Sequence, residues 1–253
     1  MKRYNFSLDP NMRWSLFADG STGFSIEDGE AISKVLQFVG LEFESILGKA
    51  LVDSHATLAV AHTNDSPVTW RAYNLIFLSS SDNTYLQHIY QFSHELCHFM
   101  VSLDVCDSFR WFEETICQIM SWFILERIYE KRDISPCKPL APYYDCFPRY
   151  IQEDMDKRYR LNGLPLSNFI LKNLAYLKRE CEDHFVNRTI GYEIYPLFKE
   201  HPNLWRIVQY LDQLNDGMGL DDAIRFLSDI AGVENIWRDQ LVQRMTEQDL
   251  VIA

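Results

Sequence analysis

Within the stretch Tyr90-Gln91-Phe92-Ser93-His94-Glu95-Leu96-Cys97-His98-Phe99-Met100 the chain carries His94-Glu95-x-x-His98. Few five-residue patterns restrict a chain as strongly. Residues four apart on a helix lie on one face, so the two imidazoles can converge on a single metal ion. Glu95, one position on from His94, can reach a metal-bound water. Two nitrogen ligands, an open coordination position and a carboxylate base are what a zinc hydrolase needs. An ordinary amphipathic helix with two buried histidines would show the same spacing. A third ligand separates the two accounts.

With 253 residues, the chain is long enough for one large domain or two small ones. Apolar residues make up 47% of it and aromatics 14%, which excludes a disordered chain and suits a well-filled interior. The formal charge of −12 argues against a general nucleic-acid or anionic-membrane surface. No apolar run follows Lys2 and Arg3, so no signal peptide is expected, and no run is long enough to span a bilayer. Cys97, Cys106, Cys117, Cys137, Cys146 and Cys181 form no CxxC pair. They read as reduced thiols, and a cytoplasmic location is expected.

Along the chain, residues 1–24 read as irregular. The stretch 25–47 reads as a helix, with Ile32, Val35, Leu36, Val39, Phe43, Ile46 and Leu47 at helical spacing. Short strands are expected at 57–62 and 74–79, and the second could supply an edge for an extended peptide. Ser81 or Asp82 suits the N-cap of a helix over 84–104 that carries the motif. A second helix is expected over 108–131. Four prolines mark 132–148 as a linker. Beyond it, helices are expected at 149–159, 166–186, 190–200, 203–214, 219–230 and 233–247.

The second helix offers the third ligand. A turn at 105–108 would return the chain antiparallel. At about 1.5 Å rise per residue, Glu114 then comes level with His98. Glu113 is the alternative; the two point about 100° apart, so only one can bind. Asp104 is a further candidate, at the last position of an HExxHxxGxxD pattern, but Val101 stands where that pattern needs a glycine to turn.

Trp111-Phe112-Glu113-Glu114-Thr115-Ile116-Cys117, together with His94-Glu95-x-x-His98, resembles the gluzincin metallopeptidases, the thermolysin and aminopeptidase-N type. Those families carry HExxH and a glutamate on the following helix, in forms such as W-x-N-E-G-x-A. Here Trp111 and Glu114 match; Glu113 and Thr115 replace the asparagine and glycine. The resemblance covers about residues 75–130. It implies zinc held by His94, His98 and Glu114, with Glu95 as the base. It also implies a tyrosine or histidine that shares the oxyanion charge. Tyr192, in Tyr192-Glu193, partly matches the Y-E-x-G of aminopeptidase-N relatives and is the first choice, ahead of His184 and His201. No G-x-M-E-N segment is present, so nothing points to aminopeptidase specificity.

The expectation is therefore a helix-dominated α+β fold. Residues 1–131 would form a zincin-like core with a small sheet, and 149–253 a helical subdomain forming the other wall of a cleft. The expected function is zinc-dependent peptide hydrolysis by a Glu95-activated, zinc-bound water on peptide or protein substrates, with no nucleic-acid or membrane partner. The alternative is a non-catalytic zinc-binding regulatory or interaction domain, which a closed site completed by Cys97 or Cys106 would favour.

Overall fold

The structure is a computed structural model and describes residues 2–9, 12–18, 28–48, 58–63, 65–81, 83–134 and 136–246. Asp82 as an N-cap, and the ends of the helices and strand expected to include 25–27, 57 and 247, lie outside these residues. The fold is α+β and helix-dominated, with a small mixed sheet. Residues 1–100 with 120–154 form one compact unit, and residues 101–119 with 155–253 form another.

The first unit holds the sheet: β1 (Lys2–Asp9), β2 (Met12–Ala18), β3 (Leu58–His62), β4 (Val68–Trp70) and β5 (Leu75–Leu78). Its order is β1-β2-β3-β5-β4. The outer pairs β1–β2 and β4–β5 are antiparallel, and β2–β3 and β3–β5 are parallel. Two expectations are corrected here. Residues 2–9 and 12–18 are not irregular: they pair as antiparallel strands, in keeping with the period-two alternation of Tyr4, Phe6 and Leu8 with Asn5, Ser7 and Asp9, and the rest of 1–24 lies outside the described residues. The second expected strand, β5, is paired on both sides and supplies no edge. The edge of the described sheet at this end is β4, a three-residue strand that was not among the expected ones.

The helix α1 (Gly29–Leu47) connects β2 to the neighbouring parallel strand β3. Its buried face includes Ile32, Val35, Leu36, Val39, Phe43 and Leu47, the stripe read from the spacing. Next come α2 (Tyr85–Met100) and α3 (Arg110–Glu130). Gln91 of α2 fastens the end of β5: its Oε1 accepts from the backbone N–H groups of Ser79 and Ser80, both at 3.0 Å, and its Nε2 donates to Ser79 Oγ at 2.9 Å. Glu42 of α1 is 3% exposed and accepts from Arg127 Nε at 2.9 Å and Lys131 Nζ at 2.6 Å, which ties α1 to the far end of α3.

The proline-rich stretch 132–148 carries a 3-10 helix at Lys138–Cys146 that leads into α4 (Phe147–Met155). Proline at the start of a helical segment forfeits no hydrogen bond, because the first N–H groups have no internal partner. Leu140 and Tyr144 bury one side of the segment, and the Tyr144 hydroxyl accepts from Cys137 N–H at 2.9 Å.

In the second unit lie α5 (Leu166–Leu177), α6 (His184–Glu200), a 3-10 helix at Pro202–Gln213, α7 (Leu220–Ile230) and α8 (Asn235–Thr246). The helix expected over 166–186 stops at Leu177, and the next begins at His184 rather than 190. The Asp183 carboxylate causes this, because it accepts from the N–H groups of Phe185 and Val186 and caps α6.

Glu42→Ala should lower stability by about 1–3 kcal/mol, since it leaves two cations without their buried acceptor; partial exposure of Arg127 and Lys131 keeps the loss at that level. Urea unfolding followed by circular dichroism measures it, and an unchanged midpoint would refute the tie.

Candidate metal centre

α3 is an unusual helix for one so long. From Trp111 to Leu125 every residue is buried except Glu114, which is half-buried. A helix hidden on all sides lies in the interior of its protein, and a single more open position there draws notice. α2 repeats the pattern: from Gln91 to Cys97 only His94 is half-buried, and His98 follows one turn on, also half-buried. His94, His98 and Glu114 are therefore reachable from water, while the residues on either side of His94 and Glu114 are buried.

These three residues come together. Each offers one ligand atom, and the three atoms all lie within 4.8 Å of one another. The two imidazoles present their Nε2 atoms to each other at 3.2 Å. Two such nitrogens at this separation share either one proton or one cation. Tetrahedral coordination at zinc–nitrogen distances of about 2.0–2.1 Å sets two nitrogens about 3.3–3.4 Å apart, so the spacing fits one ion. Two imidazoles and a carboxylate also make the donor set that zinc takes. Among the described residues the cluster has three such ligands and no fourth. Three protein ligands leave a position for water or substrate, whereas structural zinc sites close with four.

The alternatives are placed elsewhere. Glu113 is 5% exposed and is not among the three residues of the cluster. Asp104 is exposed, and α2 has already ended at Met100; Val101 is not among the described residues with positive φ. Cys97 is fully buried. Cys106 sits beside Asp216, and burial followed by that carboxylate's charge raises its thiol above the ordinary range. Burial first, and then the charge of Glu114, likewise push the Cys181 thiol up.

Backbone details hold the ligands in place. α2 ends two residues after His98, and α3 begins four residues before Glu114. The expected helix ends were both farther from the ligands. The His98 carbonyl is one of the last four of α2, which lack a partner inside the helix. Arg71 Nε donates to it at 2.8 Å, placing a cation at the helix C-terminus. Thr115, next to Glu114, donates to the Trp111 carbonyl at 2.8 Å and lies 3.4 Å from Asn187 Oδ1 of α6. Trp111 Nε1 donates to the Ser108 carbonyl at 3.0 Å, and the Ser108 N–H donates to Asp216.

Glu95 is 5% exposed, and the Thr69 hydroxyl of β4 lies 2.8 Å from its Oε2. Tyr192 is on α6, 36% exposed, with the Arg158 guanidinium 3.4 Å above its ring centre. His184 is exposed at the start of α6, and His201 stacks on Trp237 with 3.2 Å between ring centres. His88 is buried, its Nδ1 3.0 Å from the Thr84 carbonyl, in keeping with a structural role. Thr69 and Arg71 carry no sequence signal. Their contacts with α2 span 26 and 27 residues and exist only once β4 is in place.

No protein-family model, curated protein or solved structure matches this chain. The likeness to gluzincins rests on the residues themselves.

Purified protein reconstituted with zinc should hold about one equivalent per chain, read by elemental analysis. His94→Ala and His98→Ala should each abolish tight binding. Glu114→Ala should weaken binding more than Glu113→Ala. Equal, small losses from the two glutamates would remove Glu114 from the site.

Proposed function

We propose that this chain hydrolyses peptide bonds at a zinc ion held by His94, His98 and Glu114, with Glu95 as general base, in a zincin-like fold. The observation that carries the reading is the convergence of three half-buried ligands on two otherwise buried helical stretches, with no fourth ligand grouped with them among the described residues. Zinc bound there supplies Lewis acidity and lowers the pKa of water.

The chain's own residues do the rest. Glu95 follows His94 on α2, and its carboxylate is largely shielded from water. Such a carboxylate takes a proton from an attacking water and returns it to the leaving amine. β4 is the edge strand beside α2, contacting it through Thr69 and Arg71. An extended peptide can add to that edge through main-chain hydrogen bonds. Tyr192 is the proposed partner of the developing oxyanion. Six free cysteines suit a cytoplasmic protein. The non-catalytic alternative calls for a closed site, and three ligands together with an intact Glu95 weigh against it.

Glu95→Gln tests this reading. The amide is nearly isosteric but accepts no proton at neutral pH. Zinc content should match wild type, while turnover on a peptide library should fall by ~10²–10⁴-fold. If the variant and wild type cleave equally fast, the mechanism fails. Tyr192→Phe should lower kcat by about tenfold or more, with KM little changed; an unaltered kcat would remove Tyr192 from the reaction.

A further inference from the structure

We propose that Thr69 is a positioning residue that holds the Glu95 carboxylate for proton transfer; this rests on the reading of Glu95 as general base. Thr69 is the middle residue of β4. Its neighbours Val68 and Trp70 are both exposed, 38% and 48%, so Thr69 projects from the other face, toward α2. Its hydroxyl lies 2.8 Å from Glu95 Oε2 and 2.7 Å from the Glu95 carbonyl oxygen.

A hydroxyl has one proton to give. The Glu95 carbonyl lies inside α2, where the N–H of Phe99, four residues on, serves it. The carboxylate is 5% exposed, and a charge taken from water needs a donor. Among the described residues, Thr69 is the donor that the structure gives it. An ionised acceptor also binds a donor more strongly than a carbonyl does. The proton therefore goes to Oε2, which leaves Oε1 to exchange a proton with the reacting groups.

A threonine suits this task. Its β-branched side chain has restricted χ1 freedom, and it projects from a strand that is itself paired to β5. Two residues further on, Arg71 holds the His98 carbonyl at 2.8 Å. One short segment thus fixes both the base and a ligand-bearing carbonyl on α2. Because β4 is also the edge strand, the surface proposed to receive the peptide and the clamp on the base are one piece of backbone.

The test uses the full chain with Thr69→Val, which removes the hydroxyl at nearly constant shape, and Thr69→Ser, which keeps it. Thr69→Val should lose about 10–100-fold in kcat, with KM within about twofold and zinc content unchanged. Thr69→Ser should restore most of the loss. A second readout is independent of turnover. In metal-free protein, Thr69→Val should lower the melting temperature in the wild-type background and have little effect in a Glu95→Ala background. An unchanged kcat, or an equal melting-temperature loss in both backgrounds, overturns the proposal, because the hydroxyl would then serve only the helix carbonyl. If wild type cleaves no peptide, the proposed function falls. The melting comparison still decides the clamp: background-dependent loss keeps it, and equal loss removes it.

Discussion

The account depends on the closeness of two imidazole nitrogens one helical turn apart. Their Nε2 atoms stand 3.2 Å from each other, a separation that neutral rings hold only by sharing a proton or a cation. A helix makes this approach readily, because one turn advances about 5.4 Å and residues four apart face the same way. What the helix does not supply is the third donor, which comes from α3. Its length is buried from Trp111 to Leu125 with one opening, at Glu114. A buried carboxylate with no cation near it is costly; Glu114 is half-buried and stands beside the two histidines, where a shared cation would offset its charge.

The surroundings are built for rigidity rather than adjustment. Large side chains fill the interior along α3, with Trp111, Phe112 and Trp122 fully buried. Farther along α3, two buried polar groups are engaged: Trp122 Nε1 donates to Asp154 at 2.9 Å, and the Ser121 hydroxyl donates to the Tyr90 carbonyl at 3.0 Å. Gln91 secures the end of β5, and Thr69 and Arg71 secure α2 from β4. A site whose supporting side chains are themselves locked holds its geometry better than one on loops.

How far the sequence was legible follows from the range of the signals involved. Helical spacing in α1 is local and strong, and its buried face was readable from it; α3 is buried nearly all round from Trp111 to Leu125, which no one-sided stripe announces. The motif on α2 needed only that helix. Glu114 needed a guess at the return of the chain; although both helix ends fell nearer the ligands than expected, the two displacements left the pairing of Glu114 with the histidines standing. Other features depended on competing local preferences. The alternation of Tyr4, Phe6 and Leu8 with polar residues was a strand signal that the many polar residues around it outweighed, prolines at Pro139 and Pro142 hid a 3-10 helix, and the Asp183 cap moved the start of α6. β4 is three residues long: Val68, Thr69 and Trp70 each favour a strand, but so short a run carries no period to read. With β4 unread, neither the sheet edge nor the contacts of Thr69 and Arg71 with α2 were accessible.

X-ray absorption at the zinc edge of reconstituted wild-type protein tests the central claim most directly, because it reads the ligands themselves. The account predicts two imidazole nitrogens at about 2.0–2.1 Å with the remaining positions filled by oxygen at about 2.0–2.2 Å. Loss of one imidazole contribution in His98→Ala would assign the site. Thiolate scattering at about 2.3 Å, or an all-oxygen shell unaffected by that substitution, would contradict it.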